Sequence, residues 1–267
     1  MQSASPDFAN PPVVETAIGI QFSELADFQQ SHFGWFHQAI VGEYPYSEDQ
    51  PRLLRLSEVF PRSVRKPGVQ LKSVSSPDRV LYRDAQSDPT KLVQVQPDRF
   101  GFNWRRSSDK VAYPSFANNL VECLSKYSTF SKFCGSHGLG QVVPDLCEVV
   151  YVNHIFPGES ESAQTLFAET FFPQPPVLFD GFLPAAGTIT FNRMFEMGGD
   201  RGRLYAEATV TTHGERGDFI SLRMIARIVC GASSIEDDIQ AAHDWIVNGF
   251  VSLTNPKIRR DRWQQET

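Results

Sequence analysis

The sequence predicts an α+β protein, with an antiparallel sheet and long helices packed on one face of that sheet. Two patterns indicate this fold class. Between residues 188 and 230, three runs alternate apolar and polar residues with the period of a strand, and turn residues separate them. Two long stretches, beginning near Ser115 and Ser233, instead repeat apolar residues at helical spacing. Because runs of strands lie between the helices, we expect antiparallel pairing with the helices on one face.

The first half of the chain is predicted as β-α-β-β-β-α. The run from Val13 to Phe22 is rich in β-branched residues and indicates a strand, and a helix from Ser23 is predicted to end at Pro45. Residues 45–68 contain four prolines and are predicted as an ordered loop. The remaining elements of this half are strands at Val69–Val74, Val80–Arg83 and Leu92–Arg106 and a helix from Ser115 to Gly135.

The predicted strand Leu92–Arg106 changes phase partway along its length. Val95 has the parity of one face, whereas Phe100 and Trp104 have the opposite parity. Side chains of a strand alternate strictly between two faces, so the phase cannot change without an extra residue or a reversal. The sequence therefore predicts a bulge or a turn at Pro97-Asp98.

The second half repeats the same coarse order. Its first strand, predicted over Cys147–Phe156, is apolar on nearly both faces, which is typical of a central strand. The elements that follow are a short helix at 160–171, a Pro-rich connector at 173–184, strands at Thr188–Met197, Arg203–Thr212 and Asp218–Cys230, and a helix from Ser233 or Ser234. The sequence divides into a flexible arm (1–11), a first α+β half (12–140), a second α+β half (141–256) and a basic tail (257–267). The shared order suggests an internal pseudo-repeat, although no identity between the halves is visible.

Composition narrows the class of protein. The chain has 267 residues, of which 41% are hydrophobic and 21% charged, so it can form a sizeable core. A net charge of −6 excludes a wholly basic coat for nucleic acid. No apolar run is long enough to cross a bilayer, so we expect no membrane association. The first residues lack the basic and apolar regions of a secretory signal, which predicts a cytoplasmic protein with four reduced cysteines.

Four sequence blocks resemble a sporadically distributed family of uncharacterised prokaryotic proteins of about this length. The blocks are PPVVE at Pro11–Glu15, QVQPDRFGFNWR at Gln94–Arg105, YVNHI at Tyr151–Ile155 and AHDWIVNGFVSLTNP at Ala242–Pro256. The resemblance covers nearly the whole chain. It implies a cytosolic protein of bacteria or archaea that forms one full-length unit, and it supplies no catalytic residue.

Sequence motifs give little indication of catalysis. The chain contains no GxxxxGK[ST] phosphate loop, no GxGxxG turn, no HExxH and no GxSxG. His154 with Asn153 is a weak candidate for a catalytic pair, and Arg99 could join it in a hydrolytic or nucleotide-processing site. The face of the strand that carries His154 also carries Val150 and Val152, and a lone histidine on such a face is more often a hydrogen-bonded core residue. Catalytic residues are therefore left unassigned.

A zinc site is a second weak candidate. Its ligands would be Cys123, Cys134, His137 and Cys147, which are soft donors within one stretch of the chain. The two helical cysteines also lie on or near the apolar stripe of their helix, and free cysteine is among the most buried residue types. We therefore predict buried thiols, with no metal and no cofactor.

Two rows of polar side chains on predicted strands are the better candidates for binding. The first row is Arg99, Asn103 and Arg105, and the second is Arg203, Tyr205, Arg223 and Arg227. Guanidinium groups bind carboxylates and phosphates in a bidentate manner. The alternative for both rows is a solvated strand face with cross-strand Arg–Glu pairs. A basic stretch at 52–72 could also attract a polyanion, although such runs are usually solvated.

These features lead to a ranked set of functions. The first hypothesis is a non-enzymatic binding module that holds an anionic partner, either nucleic acid or an acidic protein surface, on the arginine-bearing sheet face. The second is an enzyme with a site near Asn153, His154 and Arg99. The third is a structural subunit of a multi-protein complex. The sequence leaves the ligand and the oligomeric state open, a homo-oligomer included.

Overall fold

A computed structural model describes residue 6 and residues 8–60, 78–108, 111–172, 186–214 and 216–265. These residues form one antiparallel sheet of nine strands with five helices, which confirms the predicted α+β fold class. The strands are β1 (Val13–Phe22), β2 (Tyr46–Gln50), β3 (Arg79–Arg83), β4 (Lys91–Gln96), β5 (Arg99–Arg105), β6 (Pro144–Ile155), β7 (Thr190–Met197), β8 (Gly202–His213) and β9 (Gly217–Val229). The helices are α1 (Gln30–Ile40), α2 (Phe116–Ser136), α3 (Ala163–Phe171), α4 (Ile235–Leu253) and α5 (Pro256–Trp263).

The strand order is β2-β3-β4-β5-β1-β6-β9-β8-β7. Strands β1 and β6, each the first strand of its half, pair with each other at the centre of the sheet. In both halves the later strands return as an antiparallel meander, so that the last one pairs with the first. The halves thus extend outwards from the β1–β6 pair in the same manner. Whether they arose by duplication, and where the halves should be divided, stay predictions.

Helices α1 to α4 pack on one face of the sheet, and Trp263 of α5 packs on Phe250 of α4. Phe130 of α2 is fully buried and packs on Phe22 and Phe100, which point from β1 and β5 toward the helices. In the second half, Phe167 of α3 packs on Phe191 of β7, and α4 packs along β6 and β9. Among the described residues no helix lies on the opposite face of the sheet, and we refer to that face as the open face. No helix among the described residues is long and apolar enough to span a membrane.

The change of phase at Pro97-Asp98 is a turn between two strands. Val95 of β4 pairs with Phe100 of β5 across this turn, so residues of unlike parity come to share the helix-covered face. The reversal therefore accounts for the change of alternation that the sequence shows.

Two other elements differ from the prediction. Helix α1 begins at Gln30 rather than near Ser23, because the backbone N–H of Leu25 donates to the Pro97 carbonyl and holds the preceding turn against β5. Strand β2 lies in the stretch that was predicted as a loop, since its sequence YSEDQ has no apolar alternation and it pairs only at the sheet edge. The strand predicted at Val69–Val74 and the connector at 173–184 lie outside the described residues.

The predicted arm and tail are joined to each other. Phe8 forms a bridge with Gln265, and the N–H groups of Ala9 and Asn10 donate to carbonyls at the end of α5. The tail is helical over Pro256–Trp263, with the Asn255 side chain as its N-terminal cap. Phe8 also packs edge-on against Phe250 of α4. Residues 8–10 are therefore held by backbone hydrogen bonds, and the flexibility predicted for the arm as a whole stays a prediction.

Candidate functional site

The open face of the sheet carries both predicted rows of polar residues. Pairing of β5 with β1 places Arg99, Asn103 and Arg105 opposite Gln21, Ala17 and Glu15. The residues of the second row occupy the same face of β8 and β9, where Arg203 lies opposite Arg227. Strict alternation along each strand puts the apolar neighbours of these residues on the helix-covered face.

A segment of the chain itself lies across this open face. Residues 51–60, which we call the strap, follow β2 and have no regular secondary structure. The amide of Gln96 bonds to both the N–H (3.1 Å) and the carbonyl (3.2 Å) of Leu53. The amide of Gln21 bonds in the same way to the N–H (2.8 Å) and the carbonyl (3.1 Å) of Leu56. Two side chains of the sheet therefore hold the strap through its backbone, independently of its side chains.

The basic side chains of the strap pair with carboxylates of the sheet. Arg52 forms an ion pair of 2.9 Å with Asp98, whose side chain is only 4% exposed. Arg55 donates to the carbonyl of Phe22 at 2.6 Å and pairs with Asp145. This part of the basic stretch predicted at 52–72 therefore anchors the strap, while residues 61–72 lie outside the described residues.

The strap ends in a buried carboxylate. The side chain of Glu58 is 1% exposed and accepts hydrogen bonds from Arg203 Nη1 at 2.6 Å and from the Tyr205 hydroxyl at 2.8 Å. Arg227 Nη1 lies 3.5 Å from the same carboxylate. Burial and the hydrogen bond to Glu58 raise the pKa of Tyr205, because the phenolate is disfavoured beside a carboxylate. Three of the predicted binding residues thus form one carboxylate site, and Glu58 fills it.

Further acidic groups complete the charge balance of this site. Glu196 accepts from Arg203 at 3.1 Å, and Glu148 accepts from Arg227 Nε at 2.7 Å. The ring of Phe60 lies 4.1 Å from the Arg203 guanidinium. Arg203 is therefore bonded on several sides and almost fully buried, which a solvated strand face would not give.

Two residues of the row on β5 also form hydrogen bonds within the chain. Arg99 donates to the Gln21 amide oxygen at 3.3 Å, and burial lowers the pKa of its guanidinium. Asn103 accepts from Gln94 at 2.6 Å and donates to Glu15 at 3.0 Å.

Arg105 and Arg223 differ from the other arginines of the two rows. Both are exposed, and neither forms an ion pair with a residue of the described ranges. Of the predicted row residues, these two present guanidinium groups directly to solvent.

The weak catalytic candidates do not form one site. Asn153 points toward the helices and donates to the Leu222 carbonyl at 3.2 Å. His154 lies on the open face, where its ring packs against Phe219 with centroids 4.6 Å apart. Arg99 is on β5, near the opposite end of the sheet from His154. The structure therefore does not bring these three side chains together.

The candidate zinc ligands are also dispersed. Cys123 and Cys134 are buried in α2, and burial raises the pKa of the Cys134 thiol to about 12. His137 stacks on Trp35, and its Nδ1 donates to the Phe133 carbonyl at 2.9 Å. Within the described part of the chain, no group of three His, Cys, Asp or Glu side chains has the spacing of a metal site.

Three residues that sequence reasoning did not single out determine the site. Gln21 and Gln96 lie on strands whose alternation predicts their face, but nothing in the sequence indicates that they hold another segment. Glu58 is the only acidic residue in the basic stretch 52–72. This is the one feature of the sequence that could have indicated its role. Comparison of the chain with models of protein families, with curated proteins and with solved structures gives no match, so the site rests on its own geometry.

Proposed function

We propose that this protein is a binding module whose open sheet face holds an extended polypeptide segment carrying a carboxylate. The observation that carries the proposal is the buried Glu58 carboxylate between Arg203, Tyr205 and Arg227. Charge-assisted hydrogen bonds of this kind are about twice as strong as neutral ones. The strap is then the occupant supplied by the chain itself, and a partner segment would take its place.

The backbone contacts support an extended peptide as the ligand. Gln96 and Gln21 each offer one donor and one acceptor to a peptide group, and the groups they hold lie three residues apart in the strap. The carboxylate follows two residues after Leu56. The open face therefore contacts two backbone positions and one acidic side chain. A partner segment must present these three groups at the same spacing along its chain.

The charge distribution favours a protein segment over nucleic acid. A nucleic acid presents a continuous row of phosphates and needs a row of unpaired cations. On this face Arg203 and Arg227 are already shared with Glu196 and Glu148, so the cluster has room for a single carboxylate. Repeated phosphates would lie against those glutamates.

The test is binding of a labelled peptide with the strap sequence PRLLRLSEVF to the full-length chain. In the wild type the tethered strap competes at an effective concentration of about millimolar. The triple variant R52A/R55A/E58A weakens the strap, and we expect it to bind the peptide at least tenfold more tightly than the wild type. Leu54→Ala is the matched control, because Leu54 is 82% exposed and should leave binding unchanged.

Two further binding measurements identify which chemical group of the peptide is recognised. A peptide with Gln in place of its Glu should bind the triple variant about tenfold more weakly, since it loses one charge-assisted interaction. A single-stranded oligonucleotide should compete poorly. Equal binding of the Glu and Gln peptides, or no peptide binding by the triple variant, would contradict the proposal. Preferential binding of the oligonucleotide would replace it with the nucleic-acid hypothesis.

A further inference from the structure

A cavity of about 680 Å³ lies on the helix-covered side of the sheet, away from the strap. Its floor is formed by Tyr151 and Asn153 of β6, and one wall is formed by His243 and Val247 of α4. Pro6, residues 8–13 and the first turn of α2 line its other sides. Cavities of about 300–1,000 Å³ are typical of small-molecule sites.

The lining mixes apolar side chains with neutral polar ones such as Asn10, Asn153 and Gln240, and its described residues carry one full positive charge. Among the described residues that line it, Arg106 alone is a lysine, arginine, aspartate or glutamate. The Nε of Arg106 is buried and has no hydrogen-bond partner, and its guanidinium has no ion pair in the described ranges. Arg106 is half-buried, and an unpaired buried donor such as its Nε is costly. An anion in the cavity would give the guanidinium a charged partner. The neighbouring Arg105 points to the open face instead.

The first turn of α2 adds a second positive group. Ser115, Phe116 and Ala117 line the cavity at the N-terminus of this long helix. The first N–H groups of a helix have no acceptor within the helix, and the helix dipole favours a negative charge at this end. The same cavity therefore combines two features that attract an anion.

A chain of hydrogen-bonded rings lies beside these groups. The hydroxyls of Tyr113 and Tyr151 are 2.9 Å apart, and the Tyr151 hydroxyl is 2.9 Å from His243 Nδ1. The His243 ring stacks on Phe116 with centroids 3.9 Å apart and an angle of 5°. Its Nε2 bonds to no residue in the described part of the chain. The ring thus offers the cavity one polar atom next to an aromatic wall.

We infer that this cavity binds a small organic monocarboxylate with an apolar body, its carboxylate held by Arg106 and the N-terminus of α2. The apolar body would pack among Phe116, Ile246 and Phe250. The described residues of the lining include no carboxylate that could pair with a cationic ligand. This inference is independent of the proposed function, because the cavity and the strap lie on opposite faces of the sheet.

The test is calorimetric titration of the full-length protein with decanoate, decanol and decylamine. We expect decanoate to bind at least tenfold more tightly than decanol, and decylamine to bind most weakly. Arg106→Gln should weaken decanoate at least tenfold and leave decanol unchanged. Arg105→Gln, which removes the adjacent charge from the other face, should alter decanoate binding by less than about twofold.

A second variant locates the ligand. Val247→Trp fills the cavity from α4 and should abolish binding of decanoate and decanol alike, with folding checked by circular dichroism. The inference is overturned if decanoate binds no more tightly than decanol, if Arg106→Gln has no effect, or if none of the three probes binds. Equal loss in the Arg105 and Arg106 variants would place the carboxylate elsewhere and overturn it as well.

Discussion

Protonation of His243 should make the folded protein less stable as the pH falls below neutrality. Burial lowers the pKa of this imidazole from 6.5 to about 4, although the nearby Asp244 carboxylate acts in the opposite direction. In the unfolded chain the ring regains its ordinary pKa. Between about pH 6.5 and pH 4 the unfolded state therefore binds more protons than the folded state, and stability decreases with decreasing pH.

The magnitude follows from the difference between the two pKa values. One pKa unit corresponds to about 1.4 kcal/mol, so a pKa near 4 predicts a loss of about 2 kcal/mol between pH 7 and pH 5. The ring is half-buried rather than sealed, and solvent reduces the effect. We therefore expect His243 to contribute a loss of about 1–2 kcal/mol over this interval.

The assay is urea unfolding at pH 7 and at pH 5, followed by tryptophan fluorescence, for the wild type and His243→Gln. Glutamine keeps an acceptor near the Tyr151 hydroxyl but does not titrate. Carboxylates that titrate at low pH affect both proteins, so the difference between their pH dependences isolates His243. Equal losses of unfolding free energy in the two proteins would refute the assignment of a lowered pKa to this ring.

Three substitutions test the packing and capping of the fold by chemical denaturation. Phe130→Ala empties a fully buried position of the first half and should cost about 3–5 kcal/mol; a loss below about 1 kcal/mol would mean that α2 is not packed as described. Gly202→Ala would place a Cβ 2.1 Å from the Arg227 carbonyl oxygen and should strongly destabilise the β8–β9 pair. Gly19→Ala is the control that should be tolerated, because its Cβ would lie 3.9 Å from the nearest atom. Ser234→Ala removes the N-terminal cap of α4 and should cost about 1 kcal/mol, and an unchanged midpoint would show that this cap adds nothing.

Much of the fold could be read from local pattern. Alternation along Gly217–Val229 assigned each side chain of that strand to a face, and the change of phase near Pro97 predicted a bulge or a turn, which is a turn in the structure. Strand β2 and the true start of α1 were not visible, because a polar edge strand has no apolar alternation. The position of that helix start depends on a hydrogen bond to the Pro97 carbonyl.

The candidate site could be predicted only in part. Parity placed Arg203 and Arg227 on a common face, since alternation is a property of the backbone alone. The partner that neutralises Arg203 is 145 residues away along the chain, and no local pattern connects them.

The sequence by itself determined the fold class and the face on which the residues of the alternating strands lie, because period and turn chemistry act over a few residues. The tertiary structure decided that the arginine-bearing face carries the strap, and that Arg106 faces a cavity while Arg105 faces the opposite side. The physical reason is the distance along the chain over which each effect acts. Burial and ion pairing depend on which distant segments pack together, and that packing is settled only when the whole core forms.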